Sequence, residues 1–114
     1  MAREIRLAAE TIRTLGFATI AAAGATYTGI GTRFNHPVRI FFVQNLTNAL
    51  LKFSFDGTND HFVLPQGGYL LLDVTGNKAN TQGFYIAEAS RLYVQEVGTP
   101  TSGDVYLSLF YGAD

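Results

Sequence analysis

The feature that most constrains this chain is its rhythm of short strand-like runs. From Pro37 onward, runs rich in β-branched and aromatic residues are broken by turn signals about every 8–12 residues. Val38 to Val43 follows Pro37, and Asn45 to Asn48 punctuates it. Leu50 to Phe55 alternates, with Leu51, Phe53 and Phe55 on one face and Lys52 and Ser54 on the other. Asp56-Gly57 is a turn signal, His61 to Leu64 is a short strand, and Pro65-Gln66-Gly67-Gly68 ends it. Tyr69 to Thr75, Phe84 to Ala87, Arg91 to Val97 and Val105 to Tyr111 complete the set. In the last run Val105, Leu107, Leu109 and Tyr111 share a face, as two sheets packed face to face require. The pattern predicts an all-β fold, an antiparallel sandwich or barrel of about eight short strands.

The first 35 residues carry a mixed signal. Leu7, Ala8, Thr11, Ile12 and Leu15 recur at helical spacing, whereas Thr11, Ile12, Thr14, Phe17, Thr19 and Ile20 favour a strand. The favoured reading is an extended arm over residues 1–10 leading into a strand near 11–20. Residues 21–25 form a connection, and residues 26–34, with Gly29 and Gly31, form a short bulged strand. No convincing helix follows residue 16, which argues against α/β folds.

At 114 residues the chain is one domain, residues 1–114, with one modest core. Its formal net charge of −1 gives no broad attraction for nucleic acid or an anionic membrane. It has no cysteine, which excludes disulfide staples, thiolate catalysis and cysteine zinc sites. It is 47% hydrophobic and only 15% charged, where globular domains are about 25% charged. Apolar or neutral residues must therefore cover much of the surface, as in a subunit built to be covered by another molecule. The charged N-terminus carries no signal-peptide pattern, and no apolar run is long enough to span a bilayer.

A catalytic or metal site needs converging polar groups, and the residues offer few. His36 precedes Pro37 at a strand entry, and His61 sits beside Asp60, whose side chain on a strand points the other way. Both read as polar loop-edge histidines. Asp56, Asp60 and Asp73 lie at or near turns, where aspartate bonds the local backbone. Residues 56–60 superficially resemble a calcium loop but lack its alternating ligands and late glutamate. Gly29-Ile30-Gly31 and Gly67-Gly68 lack the context of a phosphate-binding motif. The 9 Phe and 6 Tyr are not interleaved with Lys and Arg as in single-strand nucleic-acid binders. The expectation is no enzyme, no catalytic residues, no cofactor and no metal.

The runs Asn45-Leu46-Thr47-Asn48, Phe53-Ser54-Phe55-Asp56-Gly57-Thr58 and Asp60-His61-Phe62-Val63-Leu64-Pro65 resemble small β-sandwich virion proteins of tailed bacteriophages. So do Leu72-Asp73-Val74, Asn77-Lys78, Tyr93-Val94 and residues 98–106, so that the likeness covers roughly residues 36–112. In size and strand count the chain is most similar to the jelly-roll head decoration, or cement, proteins of short-tailed phages. That resemblance implies a jelly-roll-like sandwich on the outside of the capsid, tying neighbouring major capsid subunits together. It implies the major capsid protein as partner, a homo-oligomer such as a dimer, and location in the virion after assembly in the host cytoplasm. Neither nucleic acid nor membrane is implied.

The work of such a protein lies in buried interface. The arm residues Ile5, Leu7, Ile12 and Leu15 are expected contacts that order on binding. Phe62, Tyr69 and Tyr85 are expected loop-tip contacts, since aromatics dominate interface energetics. Arg13, Arg33 and Arg39 are expected polar anchors. Two other readings stay open: a neck or tail component of the same fold, and a carbohydrate-binding module.

Overall fold

A computed structural model describes residues 6–73, 86–87 and 89–113. Among the described residues nine strands follow one another: β1 (Arg6–Ala9), β2 (Arg13–Gly16), β3 (Thr28–Gly29), β4 (Val38–Asn45), β5 (Leu51–Ser54), β6 (Phe62–Leu64), β7 (Tyr69–Asp73), β8 (Tyr93–Glu96) and β9 (Asp104–Ala113). They form two antiparallel sheets. The first has the order β1-β9-β4-β7, with β2 also on β9; the second has the order β3-β8-β5-β6. β1 pairs with residues 110–113 of β9 and β2 with residues 104–107, so the two are one interrupted strand along the same edge. Counted that way there are eight strands, and each sheet draws alternately on both halves of the chain. This is the winding of a jelly roll.

The period-two pattern builds the core. β9 turns Val105, Leu107 and Leu109 inward, and β4 turns Phe41 and Val43 inward beside them. The facing sheet supplies Leu51, Phe53, Leu64 and Val94, while Ile20, Ile30, Phe34 and Leu92 close the ends. At about 25 cal/mol per Å² of apolar surface removed from water, these side chains are the main source of stability.

Two turns show how sequence fixes the winding. Asp56 Oδ1 accepts from the N–H of Thr58 and of Asn59, both at 2.8 Å, and Gly57 takes φ 78°. The Ser54 hydroxyl donates to Asp56 and accepts from the N–H of Gly57, so Ser54 is buried although it lies on the outward face. Gly103 takes φ 95°, and a Cβ there would stand 2.1 Å from the Leu46 carbonyl oxygen. Only glycine lets the loop before β9 approach the end of β4 this closely.

The N-terminal third differs from its expectation in detail. The strand predicted near 11–20 is confined to Arg13–Gly16, because a 3-10 turn at Phe17–Thr19 lifts the chain off β9. The strand predicted over 26–34 shrinks to Thr28–Gly29. Residues 6–9 of the expected arm are extended and lie against β9. Of the strand expected at Phe84 to Ala87, Ile86 bridges Val38, and Phe84 and Tyr85 lie outside the described residues.

Candidate interaction surface

The two sheets present very different outer faces. On the first, register places Ile40 beside Phe110 and Asp73, Phe42 beside Ser108 and Leu71, and Gln44 beside Tyr106 and Tyr69. At one corner Leu7 pairs with Gly112. The result is an apolar and aromatic surface across four strand positions. Tyr69, Leu7 and Leu71 are 64%, 56% and 53% exposed. Phe42 meets Tyr69 edge-on, ring centroids 5.6 Å apart, which fixes both rings in place. Among the described residues, charge on this face stands at the margins. Asp73 and Arg39, in the irregularity of β4 between Val38 and Ile40, lie toward one end. Asp104, which accepts from the Tyr106 hydroxyl, lies at the other.

A second apolar area lies at one pole, where the loop after β4 meets the loop after β8. Leu46, Leu50 and Val97 are exposed there, and the N–H of Val97 and of Gly98 both donate to the Leu50 carbonyl. Asn45, fully buried, holds this pole rigid. Its Nδ2 donates to the carbonyls of Ala49, Leu64 and Pro65, and its Oδ1 accepts from the N–H and hydroxyl of Thr47. Asn48 reaches across to Thr101 from the other side.

The outer face of the second sheet is polar and partly covered along β5 and β8, with Val63 of β6 exposed beside Lys52. Gln95 is nearly buried because its amide donates to the carbonyl of Ala25, drawing residues 22–26 over it. The Tyr27 hydroxyl donates to Asp60, which also pairs with Lys52 at 3.3 Å. Burial and that carboxylate push the Tyr27 phenol above its ordinary range, and the Tyr27 and Lys52 partners hold Asp60 below its own. Four backbone and side-chain donors likewise hold Asp56 well below the usual carboxylate range.

The polar groups that do converge lie at the link between β1 and β2. Glu10, its side chain only 2% exposed, accepts from Arg13 at 2.9 Å, from the N–H of Asn35 and from His36 Nδ1 at 2.9 Å. Burial raises the Glu10 pKa, but the bonds from His36, Asn35 and Arg13 outweigh it and hold the carboxyl below its ordinary value. His36 stacks flat on Tyr111, ring centroids 3.5 Å apart. A carboxylate behind an imidazole is also the start of a general-base pair. Here the same carboxylate binds Arg13 and a backbone N–H, and its geometry is that of a clasp closing loop 31–36 onto the β1–β2 link. His61 is likewise tied locally, its Nδ1 accepting from the N–H of Phe55. Among the described residues no group of three or more His, Cys, Asp or Glu is placed to hold a metal.

The expected contact residues fall into four sets. Leu7 and Tyr69 lie on the apolar outer face, and Ile12, 52% exposed, lies in the β1–β2 link at its edge. Arg33 is exposed, donating to the Ala89 carbonyl, and Arg39 is half-buried at the β4 irregularity. Arg13, Leu15 and Phe62 sit further inside than expected. Arg13 is 7% exposed; it donates to the carbonyls of Thr32 and Arg33 and lies over the Phe34 ring, so its charge is consumed inside the fold. Leu15 packs on the core, and Phe62 stacks on Phe53 at 5.0 Å. Ile5 and Tyr85 lie outside the described residues.

Sequence reading missed Ile40, Phe42, Leu71 and Phe110 as surface residues. The signal was present: Ile40 to Val43 and Tyr69 to Leu72 are apolar without alternation, the mark of a strand to be covered on both faces. No protein-family model, curated protein or solved structure matches the chain.

Proposed function

We propose that this chain is a structural subunit of a tailed-phage virion, a decoration protein that binds the outer surface of the assembled head and ties major capsid subunits together. The observation that carries this reading is that most of the exposed large apolar side chains among the described residues fall in two areas, the outer face of the first sheet with its edge and the pole at Leu46, Leu50 and Val97, Val63 standing apart from both. A connector needs two surfaces, and apolar groups gathered in patches mark contact surfaces. The jelly-roll winding adds support by analogy, since such sandwiches recur in viral capsid proteins and in lectins. A protein that binds only the assembled lattice stabilises that lattice by mass action. No catalytic step is required of it; the free energy comes from buried interface.

The test is the copy number in purified virions, by quantitative mass spectrometry against the major capsid protein. Hundreds of copies at a fixed ratio to the capsid subunit are expected. A count of about 6 or 12, as closed rings give, moves the protein to the neck or tail. Absence from the particle overturns the virion reading.

A further inference from the structure

We infer that the cleft on the outer face of the second sheet, between loops 24–27 and 57–60, binds a neutral saccharide. The inference goes beyond the proposed function and does not rest on it. The cleft measures about 510 Å³, within the range of small-ligand sites. Register builds its floor: Lys52 of β5 and Gln95 of β8 are direct cross-strand partners, so their side chains stand side by side. Tyr27 comes to the cleft from one loop, and Thr58 and Asp60 from the other. The Tyr27 hydroxyl donates to Asp60 Oδ1, and Lys52 Nζ donates to Asp60 Oδ2 at 3.3 Å. Floor and walls are thus set in place by the chain's own bonds.

Gln95 identifies the kind of group the cleft takes. The residue is 4% exposed, and its Nε2 donates to the Ala25 carbonyl, which fixes the way the amide faces. Its Oε1 accepts no hydrogen bond from the described residues. None of their buried side-chain oxygens is sealed without a partner, so this acceptor opens onto the cleft that Gln95 lines. A deep acceptor calls for a donor from the ligand, since leaving it unmatched is costly. Beside it the Lys52 ammonium has three donors, one of them given to Asp60. One hydroxyl can donate to Gln95 Oε1 and accept from Lys52 Nζ together; a fully ionised anion has nothing to donate, and an ammonium nothing to accept with. Among the lining residues Lys52 and Asp60 are the charged ones, and they offset each other, so the site favours a ligand without net charge. A monosaccharide carries such hydroxyls around a ring, with a C–H face for the half-buried ring of Tyr27. A few hydrogen bonds at an open cleft give dissociation on the order of millimolar.

The full chain, isotope-labelled for NMR, is titrated with glucose, galactose, mannose and N-acetylglucosamine, each to about 50 mM, well above a millimolar dissociation constant. At least one sugar should shift the amide signals of Lys52, Gln95 and residues 24–27 and saturate them. Lys52→Met keeps the stem and removes the donors, and should weaken that binding by about tenfold or more with the thermal melt nearly unchanged. Leu71→Lys, on the outer face of the other sheet, should bind as the parent does. Silence with all four sugars, shifts only outside the cleft, or unweakened binding by Lys52→Met overturns the inference. So does inorganic phosphate binding more tightly than every sugar. These outcomes are independent of the particle count. A sugar-binding chain absent from virions defeats the proposed function alone, and a chain abundant in virions but silent to sugars defeats this inference alone.

Discussion

The two outer faces of the sandwich differ: the shorter strands of the second sheet carry a largely polar face partly roofed by its own chain, and the longer strands of the first carry a largely apolar, open one. The difference lies in what stands at the outward positions. β5 and β8 place Lys52, Ser54, Tyr93 and Gln95 there; Ser54 and Gln95 bind backbone and Lys52 pairs with Asp60, and these bonds draw loops 22–27 and 55–60 over the face. β4, β7 and β9 place Ile40, Phe42, Leu71 and Phe110 outward, which have no hydrogen bond to offer a loop. A polar face can recruit its cover from the same chain by hydrogen bonds; an apolar one is left for whatever molecule excludes water from it.

The comparison breaks most visibly on one strand. Leu107 and Ser108 are adjacent on β9, one facing the core and the other the open face. Leu107→Ala should cost about 2–5 kcal/mol, because it leaves a cavity among residues that cannot collapse onto it. Ser108→Ala should change stability by less than about 0.5 kcal/mol. Urea unfolding of the two variants at low protein concentration measures both. Equal losses would mean that the open face is structurally covered.

The roof of the second sheet gives the next effect. Gln95→Ala removes the amide that holds Ala25 and leaves a carbonyl under the roof without its partner. The expected cost is about 1–3 kcal/mol. Hydrogen exchange should quicken locally in residues 22–27, with the strands of the first sheet unaffected.

The inward half of the fold was legible, and the reason is geometric. Leu51 and Phe53 alternate with Lys52 and Ser54, Val105, Leu107 and Leu109 with Tyr106 and Ser108, and a period of two maps directly onto a sheet face. What failed depends on distant partners. Arg13 reads as a surface cation until Glu10, Thr32 and Arg33 surround it, and nothing local announces those contacts. Glu10 and His36 are 26 positions apart, and only the docking of the β1–β2 link beside loop 31–36 joins them. Asn45 reads as turn punctuation, whereas its buried amide ties three carbonyls from two loops. The open face was half legible: composition required a sticky surface, and the unalternating runs in β4 and β7 held its location.

The Glu10 clasp acts on the first sheet, through the link between β1 and β2. Its folded pKa lies below its unfolded value of about 4.3. The stabilisation it brings is therefore full above that unfolded value and is lost as pH falls through the folded pKa. Acidification below about pH 4 should loosen β1 and β2, and Leu7 with them, before the second sheet responds. Glu10→Gln should be less stable at neutral pH and should lose less on acidification than the parent. Thermal melts from pH 7 to pH 3 check this, and parallel curves for both proteins would show that the clasp contributes nothing.

The smallest expected effect on folding is the most informative about the open face. Leu71→Lys places a charge where the side chain is already 53% exposed, beside Phe42 and opposite no buried partner on its own sheet. The lysine stem can lie along the Phe42 ring while its ammonium stays in water, so the apolar area it covers is nearly conserved. Stability of the monomer should move by less than about 0.5 kcal/mol. If the face were a covered interior of the single chain, the same change would bury an unpaired charge and cost several kcal/mol. A Tm within a degree or two of the parent, measured where both are monomeric, thus establishes that this face is surface in the free chain. A collapse in Tm would instead place it in the core, and the contrast between the two faces would vanish.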